Sequence, residues 1–333
     1  MQSRIAVFGA GSWGTALAIQ LARNGIQVNL WGHEPSHIEN LVSQGENQAY
    51  LPGIKLDSKI VPVCSVEDCL QDAQLVLIVI PSKAFRRFLK LLKPALQADV
   101  SIFWASKGFE IETGKLMHEL VTEELPGHHY GVISGPTFAS EVARGLPAAI
   151  TCAGDDPATN NYFASLLHGN RFRCYTSSDV IGVEVGGALK NILAIAVGIA
   201  DGLGFGANTR AALMTRGLVE VMRLGKRLGA REETLMGLAG LGDLILTCTD
   251  DQSRNRRFGL SIGKGISVEE AEIAVGQTVE GLRAAQAVYQ MSRKLGLELP
   301  IMEQVYHVLY NGVTPLDAVK LLENRPQRNE LAG

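Results

Sequence analysis

Short apolar, β-branched runs alternate with amphipathic segments through the first half of the chain. This alternation predicts parallel strands joined by helices, the doubly wound α/β arrangement. The run at 75–80, LVLIVI, has no polar position, which is typical of a central strand covered on both faces. The predicted strands lie at 5–8, 28–31, 60–63, 75–80, 101–104 and 130–133, with two further strand-like runs at 148–152 and 172–175.

Strand patterns largely stop after residue 175, and from residue 184 onward the chain reads as helices separated by glycine and proline positions. The pattern therefore predicts two domains, an α/β domain over residues 1–180 and an all-helical substrate and catalytic domain over 181–333. The polar end, 324–333, is expected to fray.

A glycine-rich turn follows the first predicted strand. Gly9, Gly11 and Gly14 form G-x-G-x-x-G, and a helix is predicted to begin near Ser12. In this context the first glycine permits the turn, the second lets the backbone approach a pyrophosphate, and the third allows close packing of helix on strand. A tight turn that binds nothing is the alternative. The context favours a doubly wound Rossmann-type parallel sheet that binds a dinucleotide, followed by an all-α C-terminal domain.

The end of the second predicted strand bears on cofactor choice. The chain there reads Leu30-Trp31-Gly32-His33-Glu34, without the acidic residue that commonly ends this strand in NAD sites. His33 could donate to a 2′-phosphate, and Glu34 could serve NAD(H) if it turned inward; both could also be solvated. The expected cofactor is NADP(H) or NAD(H), with a slight preference for NADP(H).

A single charge interrupts an apolar helical pattern between Glu184 and Asp201. Lys190 is expected to be desolvated or paired, which would move its pKa toward acid–base chemistry near neutral pH. Gly186, Gly187 and Ala194 share its face and leave room for a ligand or for a neighbouring helix. A lysine that extends its ammonium to solvent is the other alternative.

Other polar segments lie where ligands could bind. Lys107 and the segment 134–137 follow predicted strands, and Asp243 follows a Gly-Leu-Gly turn. The segment 249–257 carries three arginines that could hold a phosphate or could form a solvated loop.

Composition limits the partners. The formal net charge is -3 and the pI is about 6.2, so no global basic field is present to bind nucleic acid or an anionic membrane. The apolar stretch 185–200 is short for a membrane span and contains Lys190. Five cysteines without a C-x-x-C pair indicate buried free thiols, and the N-terminus lacks a signal-peptide pattern, so a cytoplasmic location is expected. No metal is expected, because His128-His129 lack a suitably spaced third ligand; a homodimer is expected from frequency alone.

The run from Gly187 to Asn208, GALKNILAIAVGIADGLGFGAN, closely resembles the signature of NAD(P)-dependent glycerol-3-phosphate dehydrogenases. The resemblance covers nearly the whole chain. It continues through the segments Gly9-Ala10-Gly11-Ser12-Trp13-Gly14, Ser106-Lys107-Gly108, Ser134-Gly135-Pro136, Gly240-Leu241-Gly242-Asp243, Ser253-Arg254-Asn255 and Val279-Glu280-Gly281.

The resemblance implies hydride transfer between NAD(P)H and C2 of dihydroxyacetone phosphate, forming sn-glycerol 3-phosphate for glycerophospholipid synthesis. It implies that Lys190 exchanges a proton with the oxygen on C2. The implied substrate contacts are Lys107, Gly135, Thr137, Lys190, Asp243, Ser253, Arg254 and Asn255. The implied cofactor contacts are Gly9, Gly11, Ser12, Trp13, Gly14, His33, Lys107, Ala139, Arg254 and Glu280.

The sequence departs from the family pattern at Thr137, where serine is common, and at Thr278, where an aliphatic residue is common. Two alternatives remain open at this point. A 3-hydroxyacid or 6-phosphogluconate type dehydrogenase also joins a dinucleotide-binding domain to lysine-bearing helices. A non-catalytic redox sensor would bind the dinucleotide without turnover, although the sequence contains no basic recognition helix or appended domain.

Overall fold

A computed structural model describes residues 4–169 and 171–327 of the chain. The chain divides into two units. The sheet unit comprises Met1–Ser106 and Met117–Val183, and the helical unit comprises Lys107–Leu116 and Glu184–Gly333. The segment Lys107–Leu116 therefore belongs to the helical unit, although more than sixty residues separate it from the rest of that unit. A continuous division at 180/181 would place this segment in the sheet domain.

The sheet has eight strands within the described residues, in the order β3-β2-β1-β4-β5-β6-β7-β8. Each predicted strand is present, and the fourth ends two residues earlier than its apolar run. The strands are β1 Arg4–Phe8, β2 Gln27–Trp31, β3 Ile60–Val63, β4 Leu75–Ile78, β5 Ser101–Trp104, β6 Tyr130–Ser134, β7 Ala148–Gly154 and β8 Phe172–Ser177.

Pairing is parallel throughout the sheet except between β6 and β7. The doubly wound, mostly parallel sheet is thus confirmed, and the antiparallel junction is a feature that the sequence analysis did not predict. The strand order reverses between β1 and β4, with β2 on the other side of β1. In open α/β sheets, such a reversal creates a crevice at the carboxyl ends of the strands.

Helices form most of the remaining regular structure, and glycine and proline mark several of their ends. Pro300 and Pro315 stand at first helical positions, and Gly229, after the last residue of a helix, has the left-handed φ of +99°. The helices are α1 Ser12–Arg23, α2 Pro35–Gln44, α3 Val66–Leu70, α4 Phe85–Leu92, α5 Met117–Glu124, α6 Ala139–Arg144, α7 Pro157–Leu167, α8 Val180–Gly202, α9 Ala207–Leu228, α10 Glu232–Leu235, α11 Asp243–Thr249, α12 Arg254–Gly263, α13 Val268–Val275, α14 Glu280–Leu295, α15 Pro300–Tyr310 and α16 Pro315–Glu323.

Nearly every residue of the apolar helix α8 is buried. Among the described residues it is the one helix long and apolar enough to cross a membrane, and 89% of its most apolar window is buried. This burial is typical of a core helix, as the lysine within the segment predicts.

Two smaller expectations have different outcomes. All five cysteines are free, and Cys69, Cys152 and Cys248 are buried as expected. Cys174 is half-buried, and Cys64 is exposed because it lies just past the end of β3. Residues 328–333 of the tail expected to fray lie outside the described residues.

Candidate functional site

The glycine turn lies at the carboxyl end of β1, beside the reversal of strand order. Gly9 has a φ of +127°, and a Cβ there would overlap the carbonyl of Val79; a Cβ on Gly14 would overlap the carbonyl of Gly9. A Cβ on Gly11 would meet nothing within 4 Å. Internal packing therefore explains the first and third glycines, while the second leaves open space in front of the backbone.

Helix α1 begins at Ser12, after Gly11, and no side chain caps its first turn. The amides at this end are the kind of site that binds phosphate oxygens. The Ser12 hydroxyl donates to the Tyr50 carbonyl at 2.8 Å, and Trp13 packs partly buried against the core of the sheet unit. His33 is exposed at the end of β2, with its ring 6.4 Å from that of Trp31.

The segment after β6 reaches the same edge of the sheet, about 14 Å from β1 at three strand spacings. Gly135 is buried, and a Cβ there would lie 2.8 Å from the Cα of Ile150. The Thr137 hydroxyl donates to the Gly135 carbonyl at 3.3 Å. Helix α6 starts at Ala139 and packs on α1, and Arg23 at the end of α1 donates to the last carbonyls of α6. The C-terminal ends of these two helices therefore meet.

In the helical unit, one carboxylate bridges two lysines. The Lys190 Nζ donates to Asp243 Oδ1 at 2.5 Å, and the Lys107 Nζ donates to Asp243 Oδ2 at 2.6 Å. Lys190 also donates to the Thr247 hydroxyl at 2.9 Å. The Asp243 side chain is 1% exposed, so this is a desolvated centre with one more positive than negative charge when both lysines are protonated.

Burial dominates the electrostatics of Lys190. Its pKa is lowered to about 8, because desolvation and the nearby Lys107 charge lower it by more than the Asp243 carboxylate raises it. Burial raises the pKa of Asp243, but Lys107 and Lys190 together outweigh that effect and hold it below its ordinary value. The centre therefore has an ionised carboxylate and an ammonium that can give up its proton near pH 8.

Local backbone features place these groups. Asp243 begins α11 immediately after a π-helical turn, Leu238–Gly242, a type of irregularity that often occurs at functional sites. A Cβ on Gly240 would overlap the Leu235 carbonyl, and a Cβ on Gly186 would lie 2.5 Å from the Ala239 carbonyl oxygen. At Gly186 the space left by the small residue is thus filled by a neighbouring backbone. Lys190 is paired and buried, which excludes the alternative in which it extends to solvent.

The segment at the start of α12 holds the other predicted contacts of this unit. Ser253 caps the helix, accepting from the Arg256 amide at 3.2 Å. Arg254 is exposed and donates to Gln277 Oε1 at 3.0 Å. Asn255 is buried; it donates to Asn191 Oδ1 at 2.9 Å and accepts from the Gly281 amide at 2.9 Å. The Asn255 side chain therefore connects α12 to α8 and to the start of α14, where Gly281 follows Glu280.

Sequence reasoning missed two groups near Lys190. Thr247 lies four residues after Asp243 on α11, so the i,i+4 spacing could have identified it. Asn191 is adjacent to Lys190, but nothing in the local sequence indicates its bond to Asn255, 64 residues away. Of the three arginines in 249–257, Arg256 is held in ion pairs with Asp201 and Asp251 and so is not available as a solvent-facing clamp.

The predicted contacts divide between the two units. Gly9, Gly11, Ser12, Trp13, Gly14, His33, Gly135, Thr137 and Ala139 belong to the sheet unit, and Lys107, Lys190, Asp243, Ser253, Arg254, Asn255 and Glu280 belong to the helical unit.

The histidine pair has other partners. His128 Nδ1 lies 2.8 Å from the Val100 carbonyl, and His129 Nδ1 lies 3.2 Å from Asp155 Oδ2. Within residues 4–169 and 171–327, no group of three His, Cys, Asp or Glu side chains is arranged to hold a metal ion.

Comparison with known proteins gives a consistent family. Residues 4–160 match the NAD-dependent glycerol-3-phosphate dehydrogenase N-terminus, and residues 179–320 match the C-terminus of the same family. A protein of Shewanella halifaxensis named glycerol-3-phosphate dehydrogenase [NAD(P)+] is 53% identical, with 99% of this chain and 98% of the relative covered. A Psychromonas ingrahamii protein of the same name is 50% identical, with 98% of each chain covered.

A crystal structure of glycerol-3-phosphate dehydrogenase from Coxiella burnetii superimposes with a TM-score of 0.95 at 45% identity, covering 97% of this chain and 99% of that one. A ketopantoate reductase structure from Ralstonia eutropha, at 17% identity and a TM-score of 0.60, shares the fold alone. On the family matches and the full-length identities, the chain belongs to the NAD-dependent glycerol-3-phosphate dehydrogenase family.

Proposed function

We propose that the chain interconverts dihydroxyacetone phosphate and sn-glycerol 3-phosphate with NAD(P)H as hydride carrier, and that reduction of the ketone supplies glycerophospholipid synthesis. The observation that carries this proposal is the buried centre of Lys190, Asp243 and Lys107. It combines an ammonium whose pKa is about 8 with a net positive charge in a desolvated setting. Such a centre suits protonation of an oxygen that gains negative charge.

The residues of the glycine turn fit a dinucleotide. Gly9 and Gly14 are required by packing, Gly11 leaves open space, and the first turn of α1 has no side-chain cap. This turn would hold the pyrophosphate, with Ser12 and Trp13 beside it. When bound, the reduced nicotinamide supplies the hydride that C2 of the ketone receives.

Lys190 provides the matching proton. As C2 receives the hydride, its carbonyl oxygen becomes an alkoxide, and the Lys190 Nζ transfers a proton to that oxygen and becomes neutral. Asp243 fixes the direction of the Nζ, and Lys107 adds positive charge beside the oxygen. In the reverse direction neutral Lys190 accepts the hydroxyl proton, so one group serves both directions.

The start of α12 would position the substrate. The helix begins there with Ser253 as its N-cap, and Arg254 offers a planar donor fork for phosphate or carboxylate groups. Asn255 is already oriented by Asn191 and the Gly281 amide, so its remaining donor and acceptor sites have a fixed direction. Gly135 and Thr137 are proposed substrate contacts, and His33, Ala139 and Glu280 are proposed cofactor contacts.

Three further points belong to the proposal. A slight preference for NADP(H) would follow if His33, exposed at the end of β2, donates to a 2′-phosphate. Five free cysteines support a reducing, cytoplasmic location. A homodimer remains a prediction from frequency, for which sedimentation equilibrium is the direct test.

The test is oxidation of NADPH or NADH, followed by absorbance, with dihydroxyacetone phosphate and separately with unphosphorylated dihydroxyacetone. We expect turnover that requires the phosphate ester, since unphosphorylated dihydroxyacetone has no phosphate for Arg254 and the start of α12 to bind. Turnover of a 3-hydroxyacid couple instead would favour the hydroxyacid dehydrogenase alternative. Cofactor binding without turnover of any three-carbon phosphate would favour the sensor.

A further inference from the structure

Helix α12 lies on α8 in one fixed register. Asn255 bonds to Asn191, a Cβ on Gly259 would overlap the Ile195 carbonyl, and a Cβ on Gly263 would overlap the Ile199 carbonyl. Each of these pairs is separated by 64 positions, so the two helices run in the same direction. The start of α12 is therefore located relative to the helix that carries Lys190.

Glycines on both helices make this contact close. Gly198 and Gly202 on α8 would clash with the Arg256 and Leu260 backbones if they carried side chains, just as Gly259 and Gly263 would clash with α8. Backbone contact through glycines lets the two helices pack closely, without large side chains between them. Polar pairs at specific positions add to these contacts in fixing the register.

One such pair is buried at the C-terminal end of α8. Arg256 donates from NH2 to Asp201 Oδ2 at 2.6 Å, and the side chains are 11% and 7% exposed. Its NH1 pairs with Asp251 in the loop before α12. Asp201 also accepts from Arg210 on α9, at 2.9 Å, so the carboxylate remains paired even if Arg256 is replaced.

Neither member of this pair belongs to the Lys190 centre. Asp201 is eleven residues along α8 from Lys190, about 16 Å at the rise of an α-helix. Arg256 follows Arg254 by two residues and points its guanidinium at α8, while Arg254 is exposed. The ion pair thus lies directly next to Ser253, Arg254 and Asn255 along the chain.

We infer that Asp201 and Arg256 are positioning residues for the proposed reaction: their ion pair fixes α12 on α8 and thereby places Arg254 to receive the substrate. This inference rests on the proposed function of Arg254. The hydrogen bonds that join Lys190 to Asp243 and Thr247, and Lys107 to Asp243, involve neither Asp201 nor Arg256. The effect is therefore on substrate capture rather than on proton transfer.

A double-mutant cycle tests this. We expect Arg256→Met to raise the Michaelis constant for dihydroxyacetone phosphate about tenfold, with a smaller change in kcat, and to raise it less than about twofold in an Arg254→Ala background. The pH at which kcat/KM falls should be the same in Arg256→Met and wild type. Arg227→Met, which removes an exposed arginine in the last turn of α9, is the control and should change neither constant.

Equal effects of Arg256→Met with and without Arg254 would overturn the inference, since a general loss of stability acts in both backgrounds. If Arg256→Met does not fold, as judged by circular dichroism, the same cycle is run with Asp201→Asn, which retains an acceptor for Arg210. A wild-type protein without turnover would instead overturn the proposed function, and the inference with it. Wild-type turnover with additive effects would overturn only the inference.

Discussion

At the scale of single residues, Asp243 determines what the two lysines can do. Two ammonium groups in a desolvated place would repel each other, and the negative charge of the carboxylate between them offsets this repulsion. The sequence identified all three residues as polar positions in apolar or glycine-rich surroundings. It could not identify their mutual contacts, because Lys107, Lys190 and Asp243 are separated along the chain by 53 residues or more.

The pH dependence of the reaction follows from Lys190. Its pKa is lowered to about 8, so the group is protonated below this pH and neutral above it. As the proposed acid in ketone reduction it must be protonated, so kcat/KM should be constant at lower pH and fall as pH rises through about 8. In the reverse direction the rate should rise over the same range.

Replacing Lys107 with methionine should move the fall in kcat/KM, the alkaline limb of the pH profile, to higher pH, because the Lys107 charge lowers the pKa of Lys190. The rate of ketone reduction is measured from pH 6 to 10. The pH at which kcat/KM falls can be determined even if Lys107→Met also loses activity because a proposed substrate contact is removed. Lys226→Met, at a lysine whose side chain is 77% exposed, should leave the limb in place. A limb that stays in place or moves to lower pH in Lys107→Met would contradict this assignment.

At the scale of elements, the glycine turn separates structural from binding requirements. The sequence motif predicted a distinct task for each glycine, and the surroundings of Gly9, Gly11 and Gly14 agree with that division. Context made the motif informative: the strand before it and the helix after it are both present, at Arg4–Phe8 and Ser12–Arg23.

Substituting alanine at the second and third glycines should give opposite results. Gly11→Ala should retain the wild-type melting temperature, because its Cβ has open space, yet bind NADPH more weakly by about tenfold or more, since the methyl group faces the pyrophosphate. Gly14→Ala should lower the melting temperature, because its Cβ overlaps the Gly9 carbonyl. Thermal unfolding and fluorescence titration with NADPH measure both; unchanged NADPH affinity in Gly11→Ala would show that the turn does not approach the cofactor.

At the scale of the whole molecule, local patterns predicted most of the fold. Short apolar or β-branched runs located the strands, and glycine and proline located many helix ends. Three features depend on contacts between distant residues and were not predicted: the antiparallel β7, the place of Lys107–Leu116 in the helical unit, and the cap that buried Glu220 provides to the Ile301 and Met302 amides. No local pattern specifies such pairings.

We expect the chemistry to depend on Lys190 in its buried centre. The measurement is the turnover of dihydroxyacetone phosphate by Lys190→Met, beside wild type and Lys226→Met, with NADPH binding measured for all three. We predict that Lys190→Met binds NADPH as wild type does but loses several orders of magnitude in kcat, while Lys226→Met retains wild-type values. Near-normal turnover by Lys190→Met would contradict the proposed role of Lys190, because no proton would then need to come from this lysine.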